Sequence, residues 1–570
     1  MKIKFMLLSI LLILLPSFAV TAYAFSLPKI KTSSPVSYTA PLGTESNPYL
    51  INSIEEYNSL INLYKNSSDV FLKLNSNLTE TSSNQLTRFS FNGNFNGNNK
   101  TITYLNSPLF TQIGGKVSNL NFVLTSPSCT EASFGVLCNE LNGTLINCVN
   151  NSTITLTLPT STTCFGGFAG RNSSTSSIIN CTNNANMEIT VSSGIRVGGF
   201  LGEANSPITM YNNINSGNIT VSSSASSASI YAGGFIGYGS YKSTDSTSIT
   251  YNMEKLSNLA NIFVSATATS NATYCRIGGI IGGATNNTIT SISECTSSGT
   301  LSATNATAYT NRGNHIGGII GYIYGAESNF AKITINNCFT TSSINSTTTS
   351  KGFSTLGGLI GYTYSSSNNT SVKVNINNSY STSSITTTES NSTSSTTIGG
   401  LIGQSAKTNI SNCFSNVLVY SKDQSVKIIG GLIGYYFNDS SSPSNPTITN
   451  CISNTKSTYR KSTSNYIGGL IGYVNGSTSN FETSIISSTY LISSYDSNYN
   501  SNYCVYAIGN NTSILLSIGA EIKNESMHNQ QSPFYASWDF SNIWIFTDSL
   551  PTLKYLIWEK FSLKLAFNII

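Results

Sequence analysis

The chain has 570 residues, a net charge of +5 and only 9% charged residues. That balance excludes a nucleic-acid binder working through a basic surface, because neutralising several phosphates takes clustered Lys and Arg. Ser, Thr and Asn number 96, 66 and 69, yet the 39% hydrophobic and 11% aromatic content supplies a core and excludes low-complexity disorder for the chain as a whole.

Residues 1–24 read as a cleaved secretory signal. Lys2 and Lys4 form a positive start, Phe5 to Leu15 is an apolar run, and Ala22-Tyr23-Ala24 offers the small-x-small pattern of a cleavage site. An uncleaved anchor is the alternative, but the run is short for a span of about 20 residues. No later segment reaches that length without interruption, and Leu556 to Ile570 carries Glu559, Lys560 and Lys564. We therefore expect a secreted or cell-surface chain with no membrane span after signal removal.

A linker is expected over 25–47 and an N-terminal cap over 48–66. Ser53-Ile54-Glu55-Glu56 has the form of a helix-capping box, and Tyr57, Leu60, Ile61 and Tyr64 come after it at helical spacing. A short amphipathic helix is expected here, lying over the first coil of the repetitive region.

Residues 67–520 are repetitive. An apolar residue, two glycines, two apolar residues and a further glycine recur nine times, and the first glycines are Gly166, Gly198, Gly233, Gly278, Gly317, Gly357, Gly399, Gly430 and Gly468. Ser133-Phe134-Gly135-Val136-Leu137 reads as a decayed tenth copy. A second segment follows each motif, as in Ile146-Asn147-Cys148 and Ile179-Asn180-Cys181, and a third alternates apolar with polar residues, as in Ile154-Thr155-Leu156. Three short strands per unit follow from this pattern. One unit cannot bury its apolar face alone, whereas stacked units can, each strand pairing in parallel with its equivalents above and below. The runs are too short and too rich in β-branched residues and glycine for a βαβ crossover fold. The expected fold class is all-β, a parallel β-solenoid of about ten three-strand coils. Residues 521–570, with Phe534, Trp538, Phe540, Trp544, Leu550 and Trp558, read as an aromatic-rich C-terminal cap that protects the last strand edges.

The motif Ile398-Gly399-Gly400-Leu401-Ile402-Gly403 and its copies resemble the GLUG motif of secreted and cell-surface repeat proteins. Gly43-Thr44-Glu45-Ser46-Asn47-Pro48-Tyr49-Leu50-Ile51 is similar to the opening segment of such proteins, Phe91 to Ile102 to their first rungs, and Trp538-Asp539-Phe540 with Trp544 and Leu550 to Leu553 to their closing segment. The resemblance implies a β-helix-like rod at a microbial or protist surface, often taken to be adhesive, and no single ligand. The motif also accompanies the protease module of some IgA-cleaving metalloproteases, a module for which this sequence shows no signature.

Chemistry-bearing residues are sparse. Two histidines, His315 and His528, cannot form an H-E-x-x-H metal motif, and both read as surface or turn residues. Polysaccharide-cleaving enzymes do use β-helices, but their sites need converging carboxylates. Glu188, Glu203 and Glu254 lie in neighbouring repeats without sharing a register. Cys148, Cys181, Cys295, Cys338, Cys413 and Cys451 do share one, which the spacing extends to Ile214, Leu259 and Ser379. Those three types do not suit zinc, so buried thiols are favoured over a metal ladder, with disulfides between some coils as the alternative. Tyr238, Tyr322, Tyr362, Tyr435 and Tyr473 each follow the last glycine of a motif. Stacking aligns them along one edge, either as a structural corner or as a stripe that binds sugar rings or a partner surface. Asn-x-Ser/Thr sequons are about as frequent as composition alone produces, and their glycosylation would mask much of the surface.

The functional expectation is an adhesin-like interaction rod with no catalysis and no cofactor, whose partner is a glycan or a surface protein. A polysaccharide-acting enzyme and a passive coat or spacer are the alternatives.

Overall fold

Each repeat of the sequence becomes one turn of a parallel β-solenoid in the computed structural model. The structure describes residues 41–225, 228–240, 249–267, 273–285, 288–306, 312–325, 331–349, 351–365, 372–389, 395–421, 426–437, 447–457, 466–475, 485–486, 488–491, 508, 520–523, 535, 538–547 and 550–554. The predicted signal peptide, most of the predicted linker, Cys504, His528, Phe534 and Trp558 lie outside the described residues.

One coil runs through five strands, Thr144–Ile146, Val149–Asn150, Thr153–Thr157, Cys164–Gly166 and Ala169–Asn172. Stacked on their equivalents, these become five walls of 14, 14, 9, 10 and 12 strands, here called the first to the fifth wall. Pairing between coils is parallel throughout, and the glycine motifs fall in phase: Gly135 pairs with Gly166, Gly166 with Gly198, and so on to Gly468. The shortened copy at Ser133 is therefore a true member of the stack.

The three expected segments are all present, but two of them bend. The glycine segment turns at its second glycine and divides between the fourth and fifth walls. The Asn-Cys segment turns at its Asn and divides between the first and second. Among the described residues, three-strand coils occur only near the N-terminus, as in Phe89–Phe91, Asn94–Asn96 and Thr101–Leu105. The bend at Asn needs a left-handed backbone, which Asn tolerates better than most residues. Asn147, Asn180, Asn212, Asn337, Asn378, Asn412 and Asn450 all adopt φ between 49° and 53°. Their amides also hydrogen-bond along the stack, Asn147 Nδ2 to Asn119 Oδ1 at 2.9 Å and Asn212 Nδ2 to Asn180 Oδ1 at 2.9 Å.

The interior is filled by residues that recur once per coil. Phe168, Phe200 and Phe235 stack with centroids 4.7 and 4.9 Å apart, and Ile280, Ile319, Leu359, Leu401, Leu432 and Leu470 continue their column. The six cysteines expected in one register all point inward and are fully buried. The ten described cysteines are free thiols. Two positions assigned to this column by spacing are corrected. The coils between Cys181 and Cys295 place Asn213 and Leu256 there, both fully buried, whereas Ile214 and Leu259 are exposed and Ile214 pairs with Thr182 on the second wall. Loop lengths that vary between coils moved the count; in the Leu256 coil the left-handed corner is Lys255 instead of Asn, and in the Asn213 coil the corner Asn212 is followed by a second Asn where other coils place Cys.

Helix α1 spans Ile54–Tyr64, and the Ser53 side chain accepts a hydrogen bond from the Glu56 amide at its start. Ile54, Tyr57 and Ile61 face the core, with Tyr57 edge-on to Phe95. At the other end Tyr535, Trp538, Trp544 and Leu553 form a separate cluster with Tyr380, Phe414 and Ile452. Those three are outward residues of the second wall, so the described part of the C-terminal segment packs on a flank of the solenoid. The strand Ala520–Lys523, which straddles the expected boundary between solenoid and cap, extends the second wall.

Candidate functional site

Two outward columns run side by side where the glycine motif bends. On the fifth wall the residue after the last glycine repeats as Glu140, Arg171, Glu203, Tyr238, Gly283, Tyr322, Tyr362, Gln404, Tyr435 and Tyr473. All five sequence-assigned tyrosines thus occupy one column. On the fourth wall the residue two before the first glycine repeats as Arg196, Tyr231, Arg276, His315, Thr355 and Thr397.

The tyrosine column is interrupted. Tyr322 and Tyr362 stack in parallel with centroids 5.6 Å apart, Tyr435 and Tyr473 at 5.3 Å, and Gln404 separates the two pairs. Tyr238 is tilted against Tyr231 at 4.4 Å, and the two rings close over Gly283, where a Cβ would meet Tyr231 at 2.6 Å. Burial pushes the phenols of Tyr238, Tyr322 and Tyr362 up from their ordinary range, so all three remain neutral donors at physiological pH.

Between the columns lies a cavity of about 430 Å³, lined over three successive coils by Tyr274, Arg276, Arg312, His315, Tyr322, Phe353, Tyr362 and Tyr364. Its volume falls in the range of about 300–1,000 Å³ typical of small-molecule sites. Arg276 is 6% exposed. Its guanidinium sits 3.9 Å from the Tyr322 ring centre, 4.2 Å from Tyr274 and 4.8 Å from Tyr231, an arrangement in which ring faces stabilise the cation. It also donates to the Tyr231 hydroxyl and to Ser229 Oγ. Arg312 covers the Tyr274 ring at 4.5 Å and donates to its hydroxyl. Sequence reasoning missed this cavity, although its signal was available at one register: the residue two before the first glycine is charged or aromatic in four successive coils.

His315 requires a correction. It is no surface or turn residue but lies within the strand Gly313–Gly317, 1% exposed. It stacks on Tyr362 at 4.5 Å, and its Nδ1 shares a hydrogen bond with Thr355 Oγ1. Burial, and then the neighbouring Arg276 charge, hold its pKa well below 6.5, so the ring is neutral at pH 7. A pKa lowered on folding stabilises the native state above the unfolded value of about 6.5, and that stabilisation is lost as pH falls toward the native value. Between pH 6.5 and 5, wild type should lose up to about 1.4 kcal/mol per pH unit through this group. His315→Phe should flatten that slope in urea titrations at stepped pH, and an unchanged slope would contradict the assignment.

The carboxylates weighed as catalytic candidates do not converge. Glu188 is on the third wall, Glu203 on the fifth, and Glu254 on the first. Glu203 instead pairs with Arg196 at 3.4 Å and Glu254 with Lys255 at 3.4 Å. Among the described residues no group of His, Cys, Asp and Glu is arranged to hold a metal ion, and no helix is long and apolar enough to cross a membrane.

The family model for the GLUG motif matches residues 161–190 and 273–302, two of the in-phase copies in the stack. No curated protein matches the chain. Among solved structures, a Bacteroides ovatus protein described as a candidate immunoglobulin A1 protease aligns with 90% of this chain and 94% of its own, at 14% identity and a TM-score of 0.19. At that score the two chains do not superpose as wholes.

Proposed function

We propose that this GLUG-motif β-solenoid acts by binding, as a secreted or surface-displayed, adhesin-like rod whose fourth and fifth walls recognise a glycan or a surface protein. The observation that carries the reading is the in-register tyrosine column, in which Tyr322 with Tyr362 and Tyr435 with Tyr473 form pre-stacked pairs. A ring held in place loses little entropy when a ligand lies on it. Repetition along the solenoid offers several equivalent weak contacts, and a repetitive partner would engage them together.

Simultaneous replacement of Tyr322, Tyr362 and Tyr435 by alanine tests this on a glycan array and on host surfaces. With about 0.5–1.5 kcal/mol per ring beyond area burial, retention should fall at least about tenfold. Release of reducing ends or unsaturated products from a polysaccharide panel by the wild-type chain would instead establish catalysis. Retention unchanged in the triple variant would remove the column from the binding face.

A further inference from the structure

The proposed binding role leaves the chemistry of the ligand open, and the cavity between the fourth and fifth walls narrows it. Its lining includes two arginines and no Asp or Glu, and neither Arg276 nor Arg312 has an ion-pair partner among the described residues. The arginines elsewhere on these walls are matched, Arg171 with Glu140 at 3.5 Å and Arg196 with Glu203 at 3.4 Å. Among the described residues, unmatched guanidinium charge on these walls is therefore confined to the cavity. The Nε–H groups of Arg171, Arg196 and Arg276 all lack a hydrogen bond of good geometry, but those of Arg171 and Arg196 face a carboxylate oxygen at 3.5 and 3.4 Å, whereas that of Arg276 faces none, in a residue more than nine-tenths buried. A buried donor left unpaired is costly and calls for an explanation such as an absent ligand.

We propose that this cavity binds an acidic sugar ring, with its carboxylate held by Arg276 and Arg312 and its apolar face against the Tyr322, Tyr362 and Tyr364 rings. A planar two-oxygen anion matches the guanidinium fork, which can donate two parallel hydrogen bonds. The aromatic wall accepts the C–H face of a pyranose, and Tyr364, 40% exposed, stands at the open side. The neutral imidazole of His315 packs against Tyr362, so attraction for an anion rests with the two arginines. The inference rests on the glycan form of the binding reading and specifies which sugar chemistry this part of the solenoid selects.

The test titrates the mature chain with a glucuronate-terminated oligosaccharide, a sialylated one, a sulfated one and a neutral one of the same length. The carboxylated sugars should bind at least about tenfold tighter than the neutral sugar. Arg312→Gln should remove that preference while leaving weak neutral binding in place. Tyr364→Ala should weaken carboxylated and neutral sugars alike. Lys332→Gln, which removes a positive charge from the first wall, should change nothing. Arg312 and Tyr364 are chosen because Arg276 lies under three rings, and unaltered protease resistance of each variant will show that its fold is intact. Equal affinity for acidic and neutral sugars, or a preference untouched by Arg312→Gln, overturns the assignment while leaving the binding reading standing. Equal affinity for sulfated and carboxylated sugars overturns carboxylate selection in favour of a plain charge site. Failure to bind any of the four, together with no retention on the array, overturns both.

Discussion

Gly357→Val should break the solenoid in its middle, at a cost of more than about 4 kcal/mol. A Cβ built at Gly357 would lie 1.9 Å from the Ile360 carbonyl oxygen and 2.6 Å from the Gly403 amide nitrogen. Both are backbone atoms, and neither can move without carrying its wall. The chain bends here between the fourth and fifth walls, and the bend brings residue 357 against the carbonyl three residues on and against the coil above. The same closeness recurs at Gly166, Gly198, Gly233, Gly278, Gly317, Gly399 and Gly430, with built distances of 1.7–2.0 Å to an equivalent carbonyl. Steric space, with no left-handed φ involved, is what fixes the residue type. In a stack where each coil contacts only its neighbours, the damage should be local. Limited proteolysis should cut Gly357→Val near that coil and leave resistant fragments on both sides. Gly194→Ala is the contrast, because its nearest contact is the Ser229 oxygen at 3.2 Å; it should cost no more than about 1 kcal/mol. A valine variant with the wild-type urea midpoint would mean that the coils are not packed as described.

The glycine motif was legible because a steric requirement of this strength admits one residue type, and nine copies announce their own phase. The walls were less so. Three segments per unit are visible in the apolar pattern, but whether a segment bends depends on a single left-handed residue. Lys255 occupies that corner without the Asn signal, and Asn212 is followed by a second Asn where other coils place Cys, so the count slipped onto Leu259 and Ile214. The tyrosine column followed directly from its position after a glycine. The cavity beside it was hidden for a different reason. Arg276, Arg312 and Tyr362 are separated by 36 and 50 residues of sequence, and only the parallel register makes them neighbours. His315 read as a surface residue because nothing local in sequence marks the rings of Tyr274 and Tyr362 that enclose it.

The second wall carries the other large effect. Asn150, Asn183, Asn215 and Asn258 are paired in register and fully buried. Each amide donates to the next: Asn150 Nδ2 to Asn183 Oδ1 at 3.0 Å, Asn183 Nδ2 to Asn215 Oδ1 at 2.9 Å, and Asn215 Nδ2 to Asn258 Oδ1 at 2.9 Å. Asn150 also donates to the Gly167 carbonyl at 2.6 Å. A Cβ at Gly167 would meet the Gly199 carbonyl oxygen at 2.1 Å and Asn183 Oδ1 at 2.9 Å, so the second glycine of the motif is fixed first by the backbone of the next coil and then by the amide ladder. Asn183→Leu leaves the Asn215 oxygen without its donor and deprives Asn150 of one acceptor. Each orphaned buried group costs about 1–3 kcal/mol, and the branched side chain has no room beside Gly167. A loss of about 3–5 kcal/mol should follow, read as a lowered urea midpoint and faster amide exchange in the coils on either side. Asn183→Ser should be milder, within about 2 kcal/mol, because later coils place Ser297, Thr340, Ser381, Ser415 and Ser453 in the same column. There a hydroxyl supplies the donor that the glycine carbonyl needs, as Thr340 Oγ1 does for the Gly358 oxygen at 2.7 Å. If leucine and serine variants are equally stable, the ladder is incidental to the fold. If leucine alone fails, hydrogen bonding between coils holds this wall in register, and the apolar columns supply the bulk of the burial around it.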